Sequence, residues 1–76
     1  MIEVNEVCEQ IADFVPGIVV NPYDELDQIG IDSMTLVRLI LQLESKFDVV
    51  IADALLGPET FKTASSITSA LNMCLD

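Results

Sequence analysis

The residues with the clearest chemical potential are Asp32 and Ser33, which stand directly before a long segment with periodic apolar residues. A serine hydroxyl can accept a covalent group, but it needs a base to activate it. The chain has no histidine, and Lys46 and Lys62 lie outside the motif. We therefore expect no catalytic residue in this chain, and any chemistry at Ser33 must be driven by another protein. Ser33 would then be an attachment point.

The segment after Ser33 predicts an amphipathic helix. Its apolar residues recur at spacings of four, three and four, which is the period of one helix face. Asp32 and Ser33 are both good N-cap residues, and Gly30 lets the incoming chain bend. The apolar positions are Leu36, Ile40, Leu43 and Phe47, with Leu39 widening the stripe.

A helix N-terminus attracts anions because its first amides lack partners and its dipole is positive there. The start of this helix is therefore a favourable place for a phosphate on or near Ser33. Taken alone, however, Asp32 and Ser33 are explained more simply as a helix cap.

The composition limits the classes of partner. The 76 residues carry 13 acidic and 3 basic side chains, for a net charge of −10. So few bases make nucleic acid and anionic membranes poor partners and a basic protein the natural complement. A single domain spanning residues 1–76 is expected. We also expect it to be monomeric and cytoplasmic, since the sequence shows neither a signal peptide nor a membrane-spanning run.

Neither a metal site nor a disulfide framework is expected. Cys8 and Cys74 stand at opposite ends of the chain and form no framework. A calcium-binding loop counted from Asp24 fails because Ile29 occupies the position that requires glycine.

The remaining segments complete an all-α prediction. Residues 2–15 predict a first helix ended by Pro16-Gly17, and residues 16–32 predict a long loop that Leu26 and Ile29 pin to the core. Composition alone also allows a short strand at Ile18-Val19-Val20, although it has no partner strand. The fold class is thus a small four-helix bundle, with three main helices, one short helix and a long first loop. Its last parts are an extended link at Val49-Val50-Ile51, the short helix within Ala52 to Leu56, a core plug at Phe61, and a helix capped by Thr63 that runs to about Leu75.

The sequence resembles the acyl carrier and peptidyl carrier protein family. That family has a Gly-x-Asp-Ser-Leu motif followed by a helix ending in Leu-Glu-x-x-Phe. Here the corresponding residues are Gly30-Ile31-Asp32-Ser33-Met34 and Leu43-Glu44-Ser45-Lys46-Phe47. The resemblance also covers the loop leading into the motif and the entry to the last helix, and so extends over nearly the whole chain.

The resemblance implies a non-catalytic carrier with an acyl-carrier-protein-like fold. A phosphopantetheinyl transferase would attach 4'-phosphopantetheine from coenzyme A to Ser33, with Gly30 and Asp32 supporting the motif. A loading enzyme of the adenylation or acyltransferase type would then place an acyl or aminoacyl group on the arm as a thioester. Condensing or tailoring enzymes would use it next. Contacts with these partners are expected at Met34, Val37, Arg38 and Leu55.

Departures from the family pattern bear on the pathway. Met34 replaces the usual leucine, and the second helix carries Arg38 and Lys46 against Glu44 alone. That balance resembles the carriers of nonribosomal peptide, polyketide or related pathways, including discrete aminoacyl carriers. It is less like the strongly acidic second helix of fatty-acid carriers. Fatty-acid and D-alanyl carriers remain alternatives, as does an unmodified acidic helical module in which Asp32 and Ser33 only cap the helix.

Overall fold

The computed structural model describes residues 1–75 and contains three α-helices and two short 3₁₀ helices. The α-helices are α1 (Val4–Ala12), α2 (Ser33–Phe47) and α3 (Ala64–Met73). A first 3₁₀ helix spans Leu26–Ile29, and a second spans Asp53–Leu55. The expected all-α fold with three main helices, one short helix and a long first loop is confirmed. The first 3₁₀ helix was not expected, since sequence patterns indicate only a loop there.

Two helices are shorter than their sequence patterns predict. Helix α1 was expected over residues 2–15, but after Ala12 the chain turns, with the Phe14 amide bonding to the Ile11 carbonyl at 3.0 Å. Three-residue bonds of this kind tighten a helix end, and the following Pro16 has no amide to continue the ladder. Helix α3 ends at Met73 rather than near Leu75.

The long first loop contains no strand within the described residues. The apolar run at Ile18-Val19-Val20 is irregular chain, in which Ile18 and Val19 are exposed and Val20 packs partly against the core. No helix in residues 1–75 is long and apolar enough to cross a membrane.

The core lies where α1 packs against α2 and α3. On α2 the fully buried residues are Leu39 and Leu43, whereas Leu36 and Ile40 are only partly buried. The buried face of α2 is therefore centred to one side of the stripe that the sequence predicts, because Leu36 and Ile40 border an open groove. The largest fully buried side chains are those of Val7, Ile11, Leu39, Leu43, Ile67 and Leu71.

The first loop is held against the start of α3, as the apolar residues within it predict. Leu26 is only 3 % exposed, and its amide donates to the Lys62 carbonyl at 2.9 Å. A second bond joins the Ser65 amide to the Pro22 carbonyl, also at 2.9 Å. Burying a leucine contributes about 1.5–3 kcal/mol. The exposed ion pair between Lys62 and Glu25, at 3.6 Å, contributes at most about 1 kcal/mol. Burial of Leu26 therefore stabilises the position of the loop more than the ion pair does.

Near the end of α3, Asn72 joins that helix to the beginning of the chain. Its side chain accepts from the Ile2 amide at 2.8 Å and donates to the Ile2 carbonyl at 3.0 Å. In the link after α2, Val49 and Ile51 are buried as expected, but Val50 is 81 % exposed. Phe61 is buried, as its assignment as a core plug predicts.

Two leucines on α2 test this orientation. Leu39→Ala should lower the free energy of unfolding by about 2–5 kcal/mol, because the side chain is fully buried. Leu41→Ala is the matched control, since Leu41 is 61 % exposed, and it should change stability by no more than about 0.5 kcal/mol. Urea unfolding followed by circular dichroism measures both. Equal losses in the two variants would contradict the orientation.

Candidate functional site

The start of α2 separates the roles of Asp32 and Ser33. Asp32 is the N-cap, with extended backbone, and its Oδ1 accepts from the Thr35 amide at 2.8 Å. Its carbonyl accepts the first helical bond, from the Leu36 amide, at 2.8 Å. Ser33 is therefore the first residue inside the helix, and it is exposed. The sequence offered either residue as the cap, and the structure assigns that role to Asp32.

The chain reaches this position through a left-handed turn at Gly30. Gly30 ends the first 3₁₀ helix with φ of 100°, a conformation that other residues adopt only with strain. A Cβ there would meet Val15 Cγ1 at 3.9 Å, an ordinary contact. The glycine is thus required by the backbone and not by lack of space. Ile31 follows, buried at 5 % exposure and bonded through its amide to the Leu26 carbonyl at 3.0 Å. The turn and this anchor set the direction in which Asp32 and Ser33 leave the core.

The hydrogen bond from the Thr35 amide lowers the pKa of Asp32 below its usual range. The Thr35 side chain lowers it further, with smaller effects from the Met34 amide and from Arg38. Because the pKa is lower in the folded protein, the ionised cap favours folding above the unfolded-state pKa. That contribution is lost as the pH falls through the lower, folded-state pKa.

A cavity of about 380 Å³ opens beside Ser33. Its apolar wall includes Ile31, Leu36 and Phe61, so the expected core plug also borders the site. Its polar rim includes Glu25 and Asp27 from the first loop. A flexible group fixed to Ser33 would therefore begin at the edge of an open, partly apolar cleft.

A second groove, of about 430 Å³, continues along α2. It shares Leu36, Pro58 and Phe61 with the cavity beside Ser33, so the two openings are adjacent. Val37 and Leu41 on α2 face Leu56 and Pro58 from the link after it.

The four residues expected to contact partners differ in exposure. Met34 is 73 % and Val37 58 % exposed, and Arg38 is also exposed. Leu55, by contrast, packs partly against the core. Sequence reasoning missed two exposed apolar neighbours of this group, which are Leu41 at 61 % and Leu56 at 48 % exposure. For Leu41 the missed signal was its spacing of seven residues from Met34 and four from Val37, which puts the three on one helix face.

The other reactive side chains do not form a competing site. Cys8 is buried, and this burial raises the pKa of its thiol, with a further increase from the charge of Asp24. The reactive thiolate is therefore scarce at neutral pH. Within residues 1–75 no group of three or more histidine, cysteine, aspartate or glutamate side chains could hold a metal ion.

Because Asp32 is the cap and Ser33 is not, substitutions at the two residues should differ in their effect on stability. Ser33→Ala should change the free energy of unfolding by no more than about 0.5 kcal/mol, because Ser33 is exposed and is not the cap. Asp32→Ala should lower the urea midpoint clearly at pH 7, because the Thr35 amide loses its acceptor. The deficit of Asp32→Ala should shrink as the pH falls through the folded-state pKa of Asp32. Urea titrations across acidic pH measure this, and a larger loss from Ser33→Ala at pH 7 would contradict the assignment.

Comparison with known proteins identifies the family to which this chain belongs. The family model described as "phosphopantetheine attachment site" matches residues 4–71. No curated protein sequence matches the chain closely.

Two solved structures share the fold. One is a chain in the crystal structure of Bradyrhizobium japonicum glycine:carrier protein ligase complexed with glycylated carrier protein. It is 23% identical with a TM-score of 0.80, and the match covers 88% of this chain and 95% of that one. The other comes from the same ligase complexed with its cognate carrier protein and an analogue of glycyl adenylate. It is 24% identical with a TM-score of 0.76, and the match covers 92% and 91% of the two chains. The family match over residues 4–71 shows that this chain belongs to the phosphopantetheine-binding acyl and peptidyl carrier proteins.

Proposed function

We propose that Ser33 is the residue that receives the 4'-phosphopantetheine arm of this carrier protein. The observation that carries the proposal is the position of Ser33 as the exposed first residue of α2, beside an open cleft. Since Asp32 supplies the cap, the Ser33 hydroxyl can be modified without loss of the bond that starts the helix. The residues present therefore fit a phosphodiester at this position.

The attachment step requires a second protein. The Ser33 oxygen bonds to the β-phosphorus of coenzyme A, the bond to adenosine bisphosphate breaks, and the serine proton passes to a base. This chain has no histidine to act as that base, and within residues 1–75 no carboxylate forms a hydrogen bond with the Ser33 side chain. A phosphopantetheinyl transferase would supply both the base and Mg²⁺. In this account the carrier's own residues hold Ser33 in place and exposed.

The arm would carry an acyl or aminoacyl group as a thioester between enzymes. An aminoacyl group is favoured because both structural neighbours belong to complexes of a glycine:carrier protein ligase. The weakly charged α2 also agrees better with carriers of nonribosomal peptide, polyketide or related biosynthesis than with fatty-acid carriers. A fatty-acid or D-alanyl cargo is the alternative within the family. We further propose that residues 1–76 act as one monomeric carrier domain in the cytoplasm.

The partner surface in this proposal is the exposed apolar face of α2. Met34, Val37 and Leu41 lie at spacings of three and four residues, which place them along one face of the helix. Leu56 extends this face across the groove. Partner interfaces tend to have an apolar centre and a polar rim, and Arg38 provides a charged group beside this centre. Leu55 contributes less than Leu56 because it packs partly against the core.

The arm itself is tested by intact mass. After incubation with coenzyme A, Mg²⁺ and a promiscuous phosphopantetheinyl transferase, the parent protein should gain the mass of one phosphopantetheine. Ser33→Ala should gain nothing although it stays folded. Ser45→Ala is the matched control, since Ser45 is an exposed serine near the other end of α2, and it should be modified normally. A folded parent that gains no mass with several transferases would favour the unmodified interaction module.

The partner surface is tested by transfer kinetics. Val37→Ala and Leu41→Ala should each lower kcat/KM for the transferase by up to roughly tenfold, because truncating a residue at the well-packed centre of an interface can cost more than about 1 kcal/mol. Val50→Ala is the control, since Val50 is equally apolar and 81 % exposed but lies beyond the far end of α2. Equal effects in all three variants would contradict a partner surface on this face.

A further inference from the structure

The backbone amides in the first turn of α2 are where an anion attached to Ser33 would be expected to bind. Amides at a helix start have no partner within the helix and are bound readily by phosphate groups. From the sequence alone, a phosphate on Ser33 would be expected to settle there. In the structure the Thr35 amide already donates to Asp32 Oδ1 at 2.8 Å. The Asp32 side chain therefore already occupies the position at which a phosphate would bind the Thr35 amide.

We propose that Asp32 is a positioning residue for the arm, because its carboxylate accepts from the Thr35 amide and keeps the phosphodiester of Ser33 away from that amide. The inference rests on the proposed function, which puts the arm on Ser33. Its consequence is that the phosphodiester end of the arm is not bound by the Thr35 amide at the start of α2.

The charge around the helix start supports this reading. The Asp32 carboxylate, like any exposed aspartate, is ionised at neutral pH, and a phosphodiester beside it would carry the same sign of charge. From α2 itself, Arg38 is near enough to favour the ionised form of Asp32. Arg38 is exposed and offers no enclosed seat for a phosphate.

The cavity beside Ser33 provides no better seat. Among the described residues that line it, Lys62 is the only cation, and it lies 3.6 Å from Glu25. Asp27 and Asp32 add two further carboxylates to the same lining. A phosphodiester is therefore disfavoured both at the Thr35 amide and at the acidic lining of the cavity.

The Thr35 amide proton reports directly on this arrangement. Because it donates to Asp32, its NMR shift should follow the titration of the Asp32 carboxyl in the unmodified protein. After modification, the inference predicts that the Thr35 shift still follows Asp32 with the same amplitude. A Thr35 proton that no longer follows Asp32 in the modified protein would show that the phosphate has displaced the carboxylate, and would overturn the inference.

Two variants separate the hydrogen bond from the charge. Asp32→Ala frees the Thr35 amide, so modification of this variant should move both the Thr35 amide and the phosphorus resonance away from their positions in the modified parent. Asp32→Asn keeps a side-chain acceptor for the amide, so its phosphorus resonance should stay near that of the parent. A phosphorus resonance that is identical in Asp32→Ala and the parent would show that Asp32 excludes nothing.

Intact mass, recorded on each NMR sample, distinguishes a failure of arm attachment at Ser33 from a failure of the role proposed for Asp32. A parent that gains no arm overturns the proposed function and this inference with it. A modified parent whose Thr35 proton stops following Asp32 overturns this inference alone. If a transferase fails on the Asp32 variants, the titration of the modified parent still decides the question.

Discussion

The hydrogen bond between the Thr35 amide and the Asp32 carboxylate determines where α2 begins, and the site depends on that boundary. With Asp32 as the cap, Ser33 becomes the first helical residue, exposed and not needed for helix initiation. If Ser33 were the cap instead, modifying its hydroxyl would remove an acceptor from the helix it starts. The bond that starts the helix and the exposed hydroxyl proposed to carry the arm therefore belong to neighbouring residues, so that a change at Ser33 would leave the cap in place.

The surroundings of this boundary are held from the core outward. Leu26 and Ile31 are both buried and are joined by a backbone bond of 3.0 Å, and Gly30 makes the left-handed turn between them. Two backbone bonds then tie the loop to the start of α3. A long loop would ordinarily be mobile, but its apolar residues and amides are used here to position one exposed serine. The adjoining cleft and groove are the places where α2 and the later link do not close over each other.

Much of this arrangement could be predicted from sequence, because it depends on local patterns. The helix periodicity, a cap at either Asp32 or Ser33, the cap at Thr63 and the bend at Gly30 are short-range signals, and each agrees with the structure. The choice between Asp32 and Ser33 as the cap could not be predicted, since both residue types serve equally well. The centre of the buried face of α2 was also misjudged, because Leu36 and Leu39 are equally apolar and only tertiary packing buries Leu39 fully while leaving Leu36 partly buried. The bonds from Asn72 to Ile2 join residues 70 positions apart and have no local signal.

The most direct test of the central claim is to locate the arm by tandem mass spectrometry. The protein would be co-expressed with a phosphopantetheinyl transferase, digested and fragmented. The phosphopantetheine arm should be found on Ser33 and on none of the other serines, which are Ser45, Ser65, Ser66 and Ser69. An arm on any of those residues, or a fully unmodified Ser33 in folded protein, would contradict the central claim.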